Sequence, residues 1–120
     1  MSQDLDTGSE MINNVRQQDA ALLAEVHGEI DLHNSPDLRG HLMRLIEQTK
    51  PKKLILNLKN VPYMDSSAIA VLVESLQKLR KDKGGVYLTD LQPRVKGLLE
   101  IARLETIFNV CANEADAIAK

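Results

Sequence analysis

Apolar residues along this chain recur at two spacings, and each change of spacing marks a new element. Ile12 to Gln17 and Ala20 to Val26 are parted by Gln18-Asp19, and Ile12, Leu22, Leu23 and Val26 supply strand character. The pair reads as a β-hairpin. Gly28 interrupts it, and Glu29-Ile30-Asp31-Leu32 leads into a loop. Ser35-Pro36-Asp37 then opens a helix, with the serine expected as cap, the proline at the first helical position and the aspartate at the positive end. Leu38, Leu42, Leu45 and Ile46 share one face of it, and it ends near Thr49, ahead of Pro51.

Lys53 to Leu58 follows as a strand, with Leu54, Leu56 and Leu58 on one side and Ile55 on the other. Apolar residues on both sides place it in the middle of a sheet covered on each face. After Val61-Pro62-Tyr63-Met64-Asp65-Ser66-Ser67, a second helix carries Ile69, Leu72, Val73, Leu76 and Leu79 at helical spacing. Lys78, Arg80, Lys81 and Lys83 crowd its far end, where the dipole favours cations, and Gly84-Gly85 is expected to stop it. Val86 to Thr89 is a short strand. Gln92-Pro93 opens a third helix with Val95, Leu98, Leu99 and Ala102 on one face. Ile107 to Val110 is a last short strand, and Asn113 caps a terminal helix through Ile118. The order β-β-α-β-α-β-α-β-α predicts an α/β fold: one mixed, mostly parallel sheet of four to five strands with four helices.

Composition narrows the function more than the fold. At 120 residues the chain fits one domain, taken here as residues 11–120 behind a flexible lead-in over 1–10. A net charge of -2 with mixed signs argues against direct nucleic-acid binding. Only Tyr63, Tyr87 and Phe108 are aromatic, too few for base-stacking platforms. No apolar run approaches the ~20 residues of a membrane span. Met1 to Glu10 is polar and acidic, unlike a signal peptide, so a cytoplasmic location is expected. Cys111 is the one cysteine and reads as a small apolar residue. His27, His33 and His41 make no metal-ligating pattern, and no metal or cofactor is expected.

The chemistry gathers at Tyr63-Met64-Asp65-Ser66-Ser67-Ala68-Ile69, between a buried strand and a helix N-terminus. Carboxyl ends of parallel strands are where ligands collect, and a helix start offers unpaired N–H groups and a positive dipole end. A phosphate on a serine there adds up to about two negative charges without melting the helix. Asp-Ser-Ser is also what capping alone selects before an amphipathic helix. No Gly-x-Ser-x-Gly elbow surrounds Ser66, and no base or oxyanion site accompanies Ser66 or Asp65, so an enzyme is not expected. Gly84-Gly85 is not followed by Gly-Lys-Ser/Thr, so it is no phosphate loop.

Asp65-Ser66-Ser67-Ala68-Ile69, preceded by Leu54-Ile55-Leu56-Asn57-Leu58 and Val61, resembles the signature of the STAS domain family, in its anti-sigma factor antagonist type. Gly28-Glu29-Ile30-Asp31-Leu32 matches as well. So do Gly84-Gly85, Pro93, Val95, Leu98-Leu99-Glu100, Leu104 and Phe108 to Val110, and the resemblance runs from Ile12 to Ile118. It implies a STAS-type domain that binds and sequesters an anti-sigma factor doubling as a serine kinase. It implies Ser66 as the phosphoacceptor, with phosphorylation ending the binding and a serine phosphatase resetting it. Ser67 is the alternative acceptor. Asp31, Asp65, Ser66, Ser67 and Ala68 are the implied partner-binding residues. The family often has glycine where this chain has Ala68 and Ala70; alanine favours the helix by about 1 kcal/mol, but a methyl at Ala68 is expected to crowd an approaching kinase. Stand-alone STAS proteins also serve as subunits of lipid or anion transporters, docking on a transport ATPase, and that is the alternative reading.

Overall fold

The computed structural model describes residues 10–120, so apart from Glu10 the expected lead-in lies outside the described residues. Among the described residues β1 (Ile12–Gln18), β2 (Ala21–His27), β3 (Lys53–Asn60), β4 (Gly85–Thr89) and β5 (Asn109–Cys111) lie side by side in that order. The first pair is antiparallel and every later pair parallel. Between and after them run α1 (Ser35–Thr49), α2 (Ser66–Arg80), α3 (Pro93–Ile101) and α4 (Glu114–Ala119). The nine elements follow the order expected from the hydrophobic pattern. The last strand is displaced: it begins at Asn109, while Phe108 before it is buried in the core.

A strictly sequential strand order with crossovers of one hand puts successive helices on one face of the sheet. The packing agrees. Leu42 of α1, Leu72 of α2 and Val95 and Leu99 of α3 join Leu54, Leu56, Val86 and Leu88 in one apolar cluster. The other face holds a smaller cluster of Ala21, Leu23, Ile55 and Cys111, covered by Ala117 of α4. Central β3 therefore needs apolar residues on both sides, and it has them. Helix α4 is fastened at both ends. Arg16 donates twice to the Glu114 carboxylate, at 2.9 and 3.0 Å, and Asn57 donates to it at 3.0 Å. Lys53 Nζ donates to the last carbonyls, of Ala117 and Ile118, at 3.0 and 2.9 Å. The Arg16 bond, more than any other contact, holds the Glu114 carboxyl below its ordinary range.

Three local expectations are corrected. Asn34, not Ser35, occupies the N-cap position of α1; Ser35 is already helical and buried. The face of α2 is turned from the expected one. Ala68, Val71, Leu72, Ser75, Leu76 and Leu79 are buried, whereas Ile69 and Val73 lie half-exposed at its flank. Small Ala68 and Ser75 let the helix sit close to the sheet, and the Ser75 hydroxyl is satisfied by the Val71 carbonyl at 2.9 Å. Ala102, expected on the packed face of α3, lies just beyond its end and is exposed.

The stop after α2 works differently from a glycine cap. Lys83 takes the left-handed conformation, φ +63°, and the Gly84 N–H then reaches back to the Leu79 carbonyl at 2.8 Å. Gly84 is needed for space. A Cβ there would stand 3.1–3.2 Å from the carbonyl oxygens of Lys52, Leu79 and Pro51. Gly84→Ala should accordingly destabilise the fold by about 1–3 kcal/mol, as overpacking against backbone does, measured as a lower urea midpoint with unchanged slope.

Candidate functional site

Two loops at the carboxyl ends of β2 and β3 build the site. Strand β3 ends at Asn60, and Val61 and Met64 turn into the core while Tyr63 stays exposed. Gly28, with φ +90°, turns the chain out of β2 in a conformation that suits glycine. The loops then pair once more. Ile30 N–H donates to the Tyr63 carbonyl and Asp65 N–H donates to the Ile30 carbonyl, both at 3.1 Å, a parallel bridge of Ile30 with Met64. Both side chains are about 1% exposed, so the bridge is anchored in the core. It sets Asp31 and Leu32 beside Asp65 and Ser66.

Asp65 caps α2 from an extended backbone, and its Oδ1 accepts from the N–H groups of Ser67 at 2.9 Å and Ala68 at 3.4 Å. The Ser67 hydroxyl also donates to that oxygen. This last bond is the main reason the Asp65 carboxyl titrates below its ordinary value; partial desolvation opposes it, and the N–H groups of Ser67, Ala68 and Leu32 add to the lowering. The two serines thereby differ. Ser67 is half-buried with its hydroxyl engaged. Ser66, the first residue of α2, is exposed, and its hydroxyl has no hydrogen-bond partner among the described residues.

Ala68 is buried, its methyl group part of the main core cluster. It therefore does not stand on the surface around Ser66, contrary to the crowding expected from the sequence. Asp31 shapes the neighbouring turn. Its Oδ1 accepts from the N–H groups of His33 at 2.9 Å and Asn34 at 3.2 Å. Asn34, which the sequence reading passed over, returns the bond: its Oδ1 accepts from Asp31 N–H at 2.8 Å, and its Nδ2 donates to the Glu29 carbonyl at 2.9 Å. Asp-x-x-Asn before a helix is a turn signal that reveals such a pair. Across the site Arg94 of α3 lies over the Tyr63 ring, 4.8 Å from its centre.

Three consequences bear on chemistry. A cleft of about 470 Å³ lies between α1 and α2, lined by Arg39, Met43, Glu47, Glu74 and their neighbours, none of them at the start of α2. The histidines are scattered: His27 meets Asn13 across the hairpin, His41 meets Asp37 on α1, and His33 sits on the turn. Among the described residues no three His, Cys, Asp or Glu gather as a metal site, and no helix is long and apolar enough to cross a membrane.

Comparison with known proteins gives a consistent outcome. The family model described as STAS domain matches residues 13–117. The anti-sigma-B factor antagonist of Bacillus subtilis (strain 168) is 30% identical over 105 residues, covering 88% of this chain and 94% of that protein. A crystal structure of a putative anti-sigma factor antagonist from Thermotoga maritima superposes with a TM-score of 0.83 at 18% identity, covering 92% of this chain and 93% of that one. The Bacillus cell fate determinant SpoIIAA in its phosphorylated form superposes at 0.68 with 20% identity, covering 90% of this chain and 96% of its own. The two structural likenesses establish the fold.

Asp65→Ala should lower the thermal midpoint through loss of the cap, and Asp65→Asn should restore part of it, since asparagine still accepts at the cap position. The carboxyl is depressed in the folded state, so its stabilisation is present above the ordinary value of 3.8 and fades as pH falls through the lower folded value. Thermal melts across the acid range should therefore show wild type and Asp65→Asn converging below pH 3.8.

Proposed function

The chain belongs to the STAS domain family, and we propose that within it the protein is an anti-sigma factor antagonist. It sequesters an anti-sigma factor that is also a serine kinase, it is switched off by phosphorylation on Ser66, and a serine phosphatase resets it in the cytoplasm. Residues 11–120 are the working domain in this reading. The docking surface is made by Asp31, Asp65, Ser66 and Ser67, with Ala68 buried beneath as the support of the helix start. The protein performs no catalysis of its own.

One observation carries the reading: of two adjacent serines, Ser66 alone presents a free, exposed hydroxyl at the first turn of α2. Ser67 is committed to the cap. A small hydroxyl can hydrogen-bond at an interface, whereas a phosphate there is bulky, strongly hydrated and charged up to about -2. Two of the N–H groups that a helix start ordinarily offers an anion, those of Ser67 and Ala68, are already held by the Asp65 carboxylate. A phosphate on Ser66 adds its charge at the exposed start of α2, beside Asp65. Like charges and desolvation then act against the partner and leave the fold intact.

The purified chain, incubated with the anti-sigma factor kinase of the same genome and ATP, should gain the mass of one phosphate. Ser66→Ala should gain none. Ser66→Asp should bind the anti-sigma factor at least ~10-fold more weakly, which is about 1.4 kcal/mol. Absence of both complex and phosphate would remove the reading. A stable complex with a transport ATPase that Ser66→Asp leaves unchanged would point to the transporter-subunit role instead.

A further inference from the structure

Large apolar side chains stand exposed at three places among the described residues: Leu32 at 74%, Tyr63 at 37% and Ile101 at 84%. Two of the three belong to the loops that bracket Ser66. Leu32 differs from an ordinary exposed leucine in how firmly it is held. It sits in the turn between the Ile30–Met64 bridge and α1. That turn is closed by the reciprocal Asp31–Asn34 bonds, and by Ser35 N–H donating to the Asp31 carbonyl at 2.8 Å. The N–H of Leu32 itself bears on the Asp65 carboxylate, the cap of the helix that carries Ser66.

A turn of this kind is ordinarily given polar residues or glycine. Here the backbone freedom of a leucine is removed on both sides, and its side chain gains no burial in return. An exposed apolar side chain on a hydrogen-bonded turn next to the switch serine is suited to being covered by a partner. Building on the docking role proposed for the Ser66 surface, we infer that Leu32 is the apolar anchor of that surface. It enters an apolar pocket on the anti-sigma factor, and Ser66 lies at the pocket's rim. Because its turn is rigid before contact, little ordering remains to oppose binding. Asp31 and Asp65 flank the anchor, so a phosphate on Ser66 adds to negative charge already present around it. A pocket closing on Leu32 excludes water around Ser66, which is where a phosphate is most disruptive.

The test titrates the anti-sigma factor kinase of the same genome, without ATP, into the full chain carrying Leu32→Ala, Leu32→Asp, Leu32→Met or Ser66→Asp. Leu32→Ala should weaken binding about tenfold or more, the loss expected for most of a buried leucine side chain. Leu32→Met should stay within about threefold of wild type, being apolar and of similar volume, and Leu32→Asp should leave no measurable complex. Thermal midpoints of the three Leu32 variants should match wild type, because the side chain is exposed. Wild-type affinity in Leu32→Ala and Leu32→Asp, with Ser66→Asp still excluded, overturns the anchor and leaves the switch standing. Equal losses in Leu32→Met and Leu32→Ala also overturn it, since apolar burial would then not be the cause. Failure of the wild-type chain to bind at all, with no phosphate taken up when ATP is added, overturns both readings together.

Discussion

Between the ends of β2 and β3 and the helices that follow them, a single backbone pairing joins Ile30 to Met64 and keeps two separate loops in register. The pairing survives the irregularity between Glu25 and His27, because both side chains are driven into the core and Gly28 supplies the turn that brings the chain back. Everything on the surface around Ser66 inherits its position from that contact. Asp31, Leu32 and Asn34 belong to the first loop and Tyr63, Asp65 and Ser66 to the second. The two loops are some thirty residues apart along the chain, and the bridge continues the alignment that the β2–β3 pairing and the bond from Gly28 N–H to the Asn60 carbonyl begin.

The sheet itself determines how the loops at this end of the molecule are arranged. Open parallel sheets form a ligand crevice where the strand order reverses, since neighbouring loops then diverge to opposite faces. Here the order runs from β1 to β5 without a reversal, and the helices α1, α2 and α3 all join one cluster. The loops at the carboxyl ends of β2 and β3 therefore lie side by side along one edge. The opposite face is covered by α4, fastened through Glu114 and Lys53.

The start of α2 also shows how one carboxylate separates the roles of neighbouring residues. Asp65 takes up the N–H groups of Ser67 and Ala68 and the Ser67 hydroxyl. In doing so it stabilises the helix and leaves the next hydroxyl, that of Ser66, without an internal partner. The cap and the availability of the serine are thus one arrangement, produced by ordinary helix-end chemistry.

Much of this was readable from local pattern. The order of the nine elements, the two-sided burial of β3, the capping by Asn113 and the placement of Ser66 at a helix start follow from residue spacing and turn chemistry within a few positions. What lay beyond such pattern depended on distant partners. The face that α2 buries was decided by how closely Ala68 and Ser75 approach the sheet, while the pattern counted the larger Ile69 and Val73. The need for Gly84 came from the carbonyls of Pro51 and Lys52, some thirty residues away. The difference between Ser66 and Ser67, and the exposure of Leu32 beside them, arose only once strand pairing fixed the two loops against each other. Periodicity in a chain records which way a side chain points within its own element. Which groups meet across elements is set by register and close approach, and those exist only in the folded protein.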